Sequence, residues 1–337
     1  MLPASVRNDT FRGFPAMRVV ELQVLSGAMP SSVAITADVL ATANRLRAAK
    51  GRRPAFAVRV SGSGARSVRS LVGSVLPPQP EIATAEPDVI IVSSLVTVTE
   101  AAVIERLDRP DAAQLRRTLA RAAGRGTHIA ASCSAVFHLA SAGVLDGRRA
   151  TTTWWLAPMF QRMFPQVELD ADAMVVTDGR VITAGAAMAH LDLMLALVER
   201  YCGSDIATRC ARFLLLDGRR SQSRYMALGY LAAKDPHVVR AERWARAELA
   251  TGLTVDALAA AAGLAPRTFA RRVARATGLS PIQFLQRLRV ERAVELLETT
   301  TLSVEEIARR VGYAEPTTLR RLLRREAGGG PRDLRHA

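Results

Sequence analysis

Lysine is almost missing from this chain. Of 46 basic residues only Lys50 and Lys234 are lysines, so arginine carries the positive charge. Cysteine is scarce too: Cys133, Cys202 and Cys210 are the only three. An odd number cannot pair completely, which excludes a full disulfide framework and fits a reducing compartment. No CxxC pair or His/Cys cluster has zinc spacing, so no metal and no cofactor are expected. No run of about 18 apolar residues occurs, which excludes a membrane-spanning helix. The opening stretch MLPASVRNDTFRGFPAMRVV lacks the apolar core of a signal peptide. These absences predict a cytoplasmic protein without a membrane partner. Residues 1–17 read as a disordered lead, with Met17 as an alternative start.

What is present is a long, apolar and basic chain. Its 337 residues suggest two or three domains, and 49% hydrophobic content is ample for packed cores. The net charge of +15 is unevenly spread. Residues 1–210 hold 23 basic against 18 acidic residues, whereas residues 211–337 hold 23 against 13. The C-terminal excess points to a polyanionic partner, nucleic acid or a membrane surface.

From Met17 to about residue 200, short β-branched runs alternate with helix-spaced stretches. RVVELQVL (18–25), FAVRVSG (56–62), PDVIIVSSL (87–95) and THIAAS (127–132) read as strands. The continuously apolar PDVIIVSSL suits a strand covered on both faces. SVAITADVLATANRLRAA (32–49), DAAQLRRTLARAAGRG (111–126) and AHLDLMLALVERYCG (189–203) read as helices. Asp178-Gly179 inside AMVVTDGRVITAG predicts a hairpin. This alternation implies an α/β domain on a mostly parallel sheet over 18–203. Residues 204–240, polar and broken by Asp235-Pro236, read as a linker.

From 241 the chain reads as wholly helical and repeats itself. LAAAAGLAPRTFARRVARATGLSPIQFL (258–285) matches IARRVGYAEPTTLRRLLRREAGGGPRDL (307–334), pairing Ala259 with Ala308, Gly263 with Gly312 and Pro281 with Pro331. Each copy is helix, glycine turn, helix, the form of a helix-turn-helix. Phe269, Val273 and Ala276 share one face of the second helix, and Arg267, Arg271 and Arg275 share the other. In the second copy Leu319 and Leu323 point inward, while Thr317, Arg320, Arg321 and Arg324 point out. Ser303 to Glu306 has the spacing of a capping box. Long arginine donors on a helix suit major-groove bases and flanking phosphates.

On GLSPIQFLQRLRVERAVELLE and SVEEIARRVGY, residues 241–337 resemble the AraC/XylS-type DNA-binding domain, two helix-turn-helix units on a connecting helix. The resemblance implies base-edge contacts from Arg267, Ala270 and Arg271, with Thr268 beside them, and from Thr317, Arg320 and Arg321. It places Arg275 and Arg324 on phosphates. Leu319 and Leu323 stand where aromatics are common in that family, and Pro316 opens the second recognition helix.

In THIAASCSAVFHLASAGVLDGRRATTTWW an apolar strand runs into Ser132-Cys133-Ser134 and then a helix. A cysteine on such a turn has the geometry of an exposed nucleophile. The stretch resembles the ThiJ/PfpI (class I glutamine-amidotransferase-like) superfamily. AGVLDGRRATTTWW and VITAGAAMAHLDLMLALVE resemble the version fused to AraC-type domains in GlxA-type regulators. The resemblance implies a flavodoxin-like sandwich that pairs into a dimer. Superfamily enzymes add a histidine and an acidic residue to the cysteine, but here Thr153 stands at the histidine position and Ser32 near the acidic one. His128 and His138 read as packing histidines. What remains is a candidate pocket formed by Ser32, Cys133, Ser134, Thr153 and Trp154, at a helix N-terminus that favours an anion.

The chain therefore reads as a transcriptional regulator with an N-terminal sensor and dimerisation domain and a C-terminal operator-binding domain. Its expected partners are double-stranded DNA, a small-molecule effector and a second copy of itself, with RNA polymerase a further candidate. One alternative is a cysteine-dependent hydrolase or amidase carrying a DNA-binding domain. Another is a nucleoid-type binder without a ligand.

Overall fold

The computed structural model describes residues 17–62, 68–69, 75–76, 86–95, 97–216, 219 and 221–335. All of the expected lead except Met17 lies outside them. The sheet-forming half runs β1 (Arg18–Val24), α1 (Pro30–Ala48), β2 (Phe56–Gly62), a small antiparallel pair β3 (Val68–Arg69) and β4 (Val75–Leu76), and β5 (Val89–Val92). Then come α2 (Glu100–Asp108), α3 (Pro110–Gly124), β6 (His128–Ser132), α4 (Val136–Ser141), β7 (Arg149–Ala150), α5 (Ala157–Met163) and β8 (Glu168–Leu169). It closes with β9 (Val175–Asp178), β10 (Val181–Ala184), α6 (His190–Cys202) and α7 (Ser204–Phe213).

Six strands form one sheet in the order β2-β1-β5-β6-β10-β9. All its neighbours run parallel except β9 and β10, the hairpin turned by Gly179 at φ +57. All four residues of β5 are buried, as a strand covered on both faces requires. Helices α1, α6 and α7 pack together, α2, α3 and α4 pack together, and β6 touches α3 and α6. The fold is thus a flavodoxin-like α/β layer structure followed by a helical domain.

The expected linker at 204–240 is largely helix, and this corrects the sequence reading. Ile206 and Cys210 of α7, one turn apart, complete the first core. Helices α8 (Leu228–Ala232) and α9 (Pro236–Glu248) send Leu228, Ala232, Val238, Ala241 and Ala245 into the second. Asp235-Pro236 starts a helix where a break was expected. The Asp235 carboxylate caps the His237 N–H at 2.9 Å, and Pro236 takes the first helical position.

The remaining helices are α10 (Val255–Ala261), α11 (Pro266–Thr277), α12 (Pro281–Thr299), α13 (Val304–Arg310), α14 (Pro316–Leu322) and α15 (Pro331–Arg335). Each helix-turn-helix unit has its own core, and α12 serves both. Phe284, Leu285 and Leu288 fill the first, and Val290, Ala293, Leu296 and Leu297 fill the second. The full capping box is Ser280 with Gln283 at the start of α12. At Ser303 only half of the expected box forms. Its hydroxyl accepts the Glu306 N–H at 3.1 Å, but the Glu306 carboxylate is drawn to Arg310 one turn on.

Candidate functional site

In the first unit, Gly263 makes the turn between α10 and α11 at φ +68. Phe269, Val273 and Ala276 are buried, while Arg267, Arg271 and Arg275 stand exposed on the opposite face beside half-buried Thr268 and Ala270. In the second, Gly312 turns at φ +81, and the Leu249 carbonyl occupies the place a Cβ would take. Leu319, Leu322 and Leu323 are buried; Thr317, Arg321 and Arg324 are exposed. Arg320 is half-buried and pairs with Glu305 at 2.7 Å. Helix α14 passes into a π-helical turn, Leu323–Ala327, that stops at Gly328 with φ +77. The two units are tied by Arg289, which donates to the Leu253 carbonyl at 3.3 Å and lies 5.0 Å from the Tyr313 ring centroid.

Helix α11 ends against the α/β domain. Arg162 of α5 donates to the Arg275 carbonyl at 3.2 Å and pairs with Glu100 at 2.7 Å. Lys234 donates to the Trp155 carbonyl at 3.0 Å, and the Trp154 ring meets Tyr230 edge-on at 5.9 Å. Arg271, Arg272 and Arg275 line a cleft of about 500 Å³ with Glu100, Arg162 and Lys234. Arg272 is held by Asp235 at 2.8 Å, a structural ion pair within the unit.

The elbow has the strand-to-helix geometry expected, with Cys133 at φ +59, a region non-glycine residues rarely enter. Its chemistry is muted. Cys133 is 2% exposed, its thiol donates to the Leu95 carbonyl at 3.5 Å, and burial pushes its pKa up to about 11. Its backbone N–H donates to the Gly185 carbonyl and Ser134 Oγ to the Leu95 carbonyl, at 2.6 and 2.9 Å, so neither is free for an anion. Ser32 Oγ turns back to the Met29 carbonyl at 2.8 Å. Thr153 is fully buried, with its hydroxyl beside the Cys133 thiol. Trp154 is half-buried and faces Trp155 and Tyr230.

At pH 7 a thiol with a pKa near 11 is thiolate in only about one molecule in ten thousand. Iodoacetamide at pH 7 should therefore leave Cys133 unmodified in the folded protein and label it after denaturation, as peptide mass mapping would read. Fast labelling of Cys133 in the native state would contradict this account.

His190, which sequence reasoning passed over, sits behind the elbow. Its Nδ1 meets Ser132 Oγ and its Nε2 meets Thr36 Oγ1, each at 2.9 Å, and Ser132 continues to Ser94 at 2.5 Å. Both ring nitrogens are occupied by hydroxyls. The one local signal was its place at the start of an apolar helix, which also fits plain packing. Among the described residues no three His, Cys, Asp or Glu side chains could hold a metal ion, and no helix is long and apolar enough to cross a membrane.

Comparison with known proteins matches residues 103–200 to the DJ-1/PfpI family and residues 258–337 to a helix-turn-helix domain family. The chain is similar to the HTH-type transcriptional regulator GlxA of Rhizobium meliloti (strain 1021), 28% identical over 234 residues, 68% of this chain and 72% of that one. It is also similar to the HTH-type transcriptional regulator GbdR of Pseudomonas aeruginosa (strain UCBPP-PA14), 25% identical over 63% of this chain and 59% of that one. Among solved structures, an AraC family transcriptional regulator from Pseudomonas putida superposes with a TM-score of 0.48 and 23% identity, over 58% of this chain and 99% of that one. By these sequence matches the chain carries a DJ-1/PfpI-type region followed by a helix-turn-helix domain, and over about two thirds of its length it is similar to HTH-type transcriptional regulators.

Proposed function

We propose that the protein controls transcription by reading an operator with α11 and α14 from successive major-groove segments. The observation that carries this reading is the pair of like units, each with buried apolar residues on one helix face and exposed arginines on the other. Arg267, Arg271, Thr317, Arg320 and Arg321 take base edges, with Thr268 alongside. Arg275 and Arg324 take phosphates. Arg271→Ala should cost about 1–3 kcal/mol at the operator and relax one base preference, whereas Arg275→Ala should weaken all sequences alike and flatten the salt slope by about one. Fluorescence anisotropy against operator variants at several salt concentrations reads both. Unchanged affinity and preference in Arg271→Ala would remove the groove assignment, and sequence-independent footprints would favour a nucleoid-type role.

The α/β domain serves as the sensor and dimerisation unit, and a dimer presents four units to a repeated site with a gain in effective concentration. RNA polymerase contact belongs to the same reading. Effector binding at Ser32, Cys133, Ser134, Thr153 and Trp154 requires that site to open, because the first four are buried. In this reading the regulator acts without hydrolytic turnover: the buried thiol is protonated, and the side chains that hydrogen-bond it among the described residues are Ser134 and Thr153, neither of them a general base. Turnover of small amides that vanishes in Cys133→Ser would promote the hydrolase instead.

A further inference from the structure

The cleft of about 500 Å³ between α11 and the α/β domain gathers positive charge from three separate segments. Helix α5 brings Arg162, the turn between α8 and α9 brings Lys234, and α11 brings Arg271, Arg272 and Arg275. Against these five cations stand two carboxylates, Glu100 and Asp235, and both are already engaged. Arg162 Nη2 donates to the two carboxylate oxygens of Glu100 at 2.9 and 2.7 Å, and Arg272 holds Asp235 at 2.8 Å. Three positive charges therefore remain uncompensated in one concavity.

Like charges gathered in a partly buried space repel, and an anion among them relieves all of them at once. Arg271 and Arg275 are exposed and make no ion pair among the described residues. Lys234 donates to the Trp155 carbonyl at 3.0 Å and lies 3.9 Å from Glu100, which Arg162 already holds. Burial lowers the Lys234 pKa; Glu100 opposes that shift and the Arg162 guanidinium adds to it.

The geometry selects among anions. Arg271 and Arg275 fall at i and i+4 on α11, with Cβ atoms about 6 Å apart, while Lys234 reaches in from another element. A carboxylate offers two oxygens in one plane. A phosphate offers three that point in different directions, so it accepts a guanidinium fork and a lysine point charge together. Two linked phosphates carry roughly three negative charges at neutral pH, matching the unpaired cations, and can take one arginine each. A cleft of this volume holds a small molecule and not a duplex.

We propose that this cleft binds a small anion with two linked phosphates, held by Arg271, Arg275 and Lys234. Arg271 and Arg275 are also the residues proposed to meet the operator, so occupancy of the cleft and operator binding exclude one another. That consequence rests on the operator reading; the site itself does not.

The test is calorimetric titration of the full-length protein, free of DNA, with inorganic pyrophosphate at about 0.15 M salt. One-site saturable binding at or below about 1 mM is expected, with citrate, a tricarboxylate of like charge, at least about tenfold weaker. Lys234→Gln and Arg275→Gln should each weaken pyrophosphate about tenfold, the loss of one charge-assisted contact. Arg117→Gln, at an exposed position of α3, should leave it unchanged. Absence of saturable binding, citrate binding as tightly as pyrophosphate, or affinities in Lys234→Gln and Arg275→Gln no weaker than in Arg117→Gln would overturn the proposal. In a second arm read by anisotropy, pyrophosphate should release the parent protein from the operator, and release of Lys234→Gln should need about tenfold more. Lys234-dependent binding that leaves operator affinity untouched would uphold the site and count against the placement of Arg271 and Arg275 on DNA.

Discussion

Acidification from pH 7 toward pH 4 is expected to destabilise the α/β domain strongly. His138 and His190 are both buried there, and burial lowers the pKa of each from 6.5 to about 4. The folded protein keeps both rings neutral, whereas the unfolded chain protonates them near pH 6.5. Lowered histidine pKa values thus leave stability intact above about pH 6.5, remove it progressively as pH falls to about 4, and add no further loss below. At 1.36 kcal/mol per pH unit the loss is about 3 kcal/mol for each histidine and about 7 for the pair. That is a large share of the 5–15 kcal/mol typical of a folded domain. Denaturant midpoints of the full chain at pH 7, 6, 5 and 4.5 would show it. His190→Gln should make the profile shallower, because an amide keeps hydrogen bonds to hydroxyls without titrating. A midpoint that stays level from pH 7 to 4.5 would refute the buried-neutral assignment.

Local pattern made the α/β half readable. Short apolar, β-branched runs marked β1, β5 and β6, and Asp178-Gly179 marked the β9–β10 hairpin, in which Asp178 ends the strand and Gly179 supplies the positive φ of the turn. The same held for the helix-turn-helix pair, where glycines at the turns and apolar spacing on α11 and α14 state the geometry directly. Three features had no local signature. The short ladders β3–β4 and β7–β8 are too brief for a period to register. Asp235-Pro236 is ambiguous, since a cap and a loop use the same residues. The seam contacts Arg162–Arg275 and Asp172–Arg287 join residues more than a hundred positions apart, so nothing near either partner announces them. The elbow was read correctly in backbone and only half in chemistry. The turn at Cys133 was legible, but the carbonyls of Leu95 and Gly185 that occupy its donors come from other elements.

Phe269→Ala is expected to unfold the first helix-turn-helix unit while sparing the α/β domain. Phe269 is fully buried in a core shared with Leu258, Val273, Phe284 and Leu288. Truncating a buried phenylalanine costs about 3–5 kcal/mol through lost burial and the cavity left behind. This small core has few other large side chains to relax into the gap. The α/β core is a separate cluster, so the cost falls on the DNA-binding half. Function follows from the same geometry, because the face of α11 that carries Arg267 and Arg271 is set by Phe269 and Val273 packing behind it. Operator affinity should therefore fall steeply at temperatures where the α/β domain remains folded. The tryptophans separate the two events: Trp244 packs against the affected core, and Trp155 against the other. With Trp154 and Trp155 replaced by Phe, Trp244 emission should report an early transition in Phe269→Ala. Phe269→Leu, which keeps most of the volume, should recover the midpoint to within about 1.5 kcal/mol of the parent. A midpoint shift in Phe269→Ala no larger than that of an exposed substitution would mean that α11 is held by contacts other than this core.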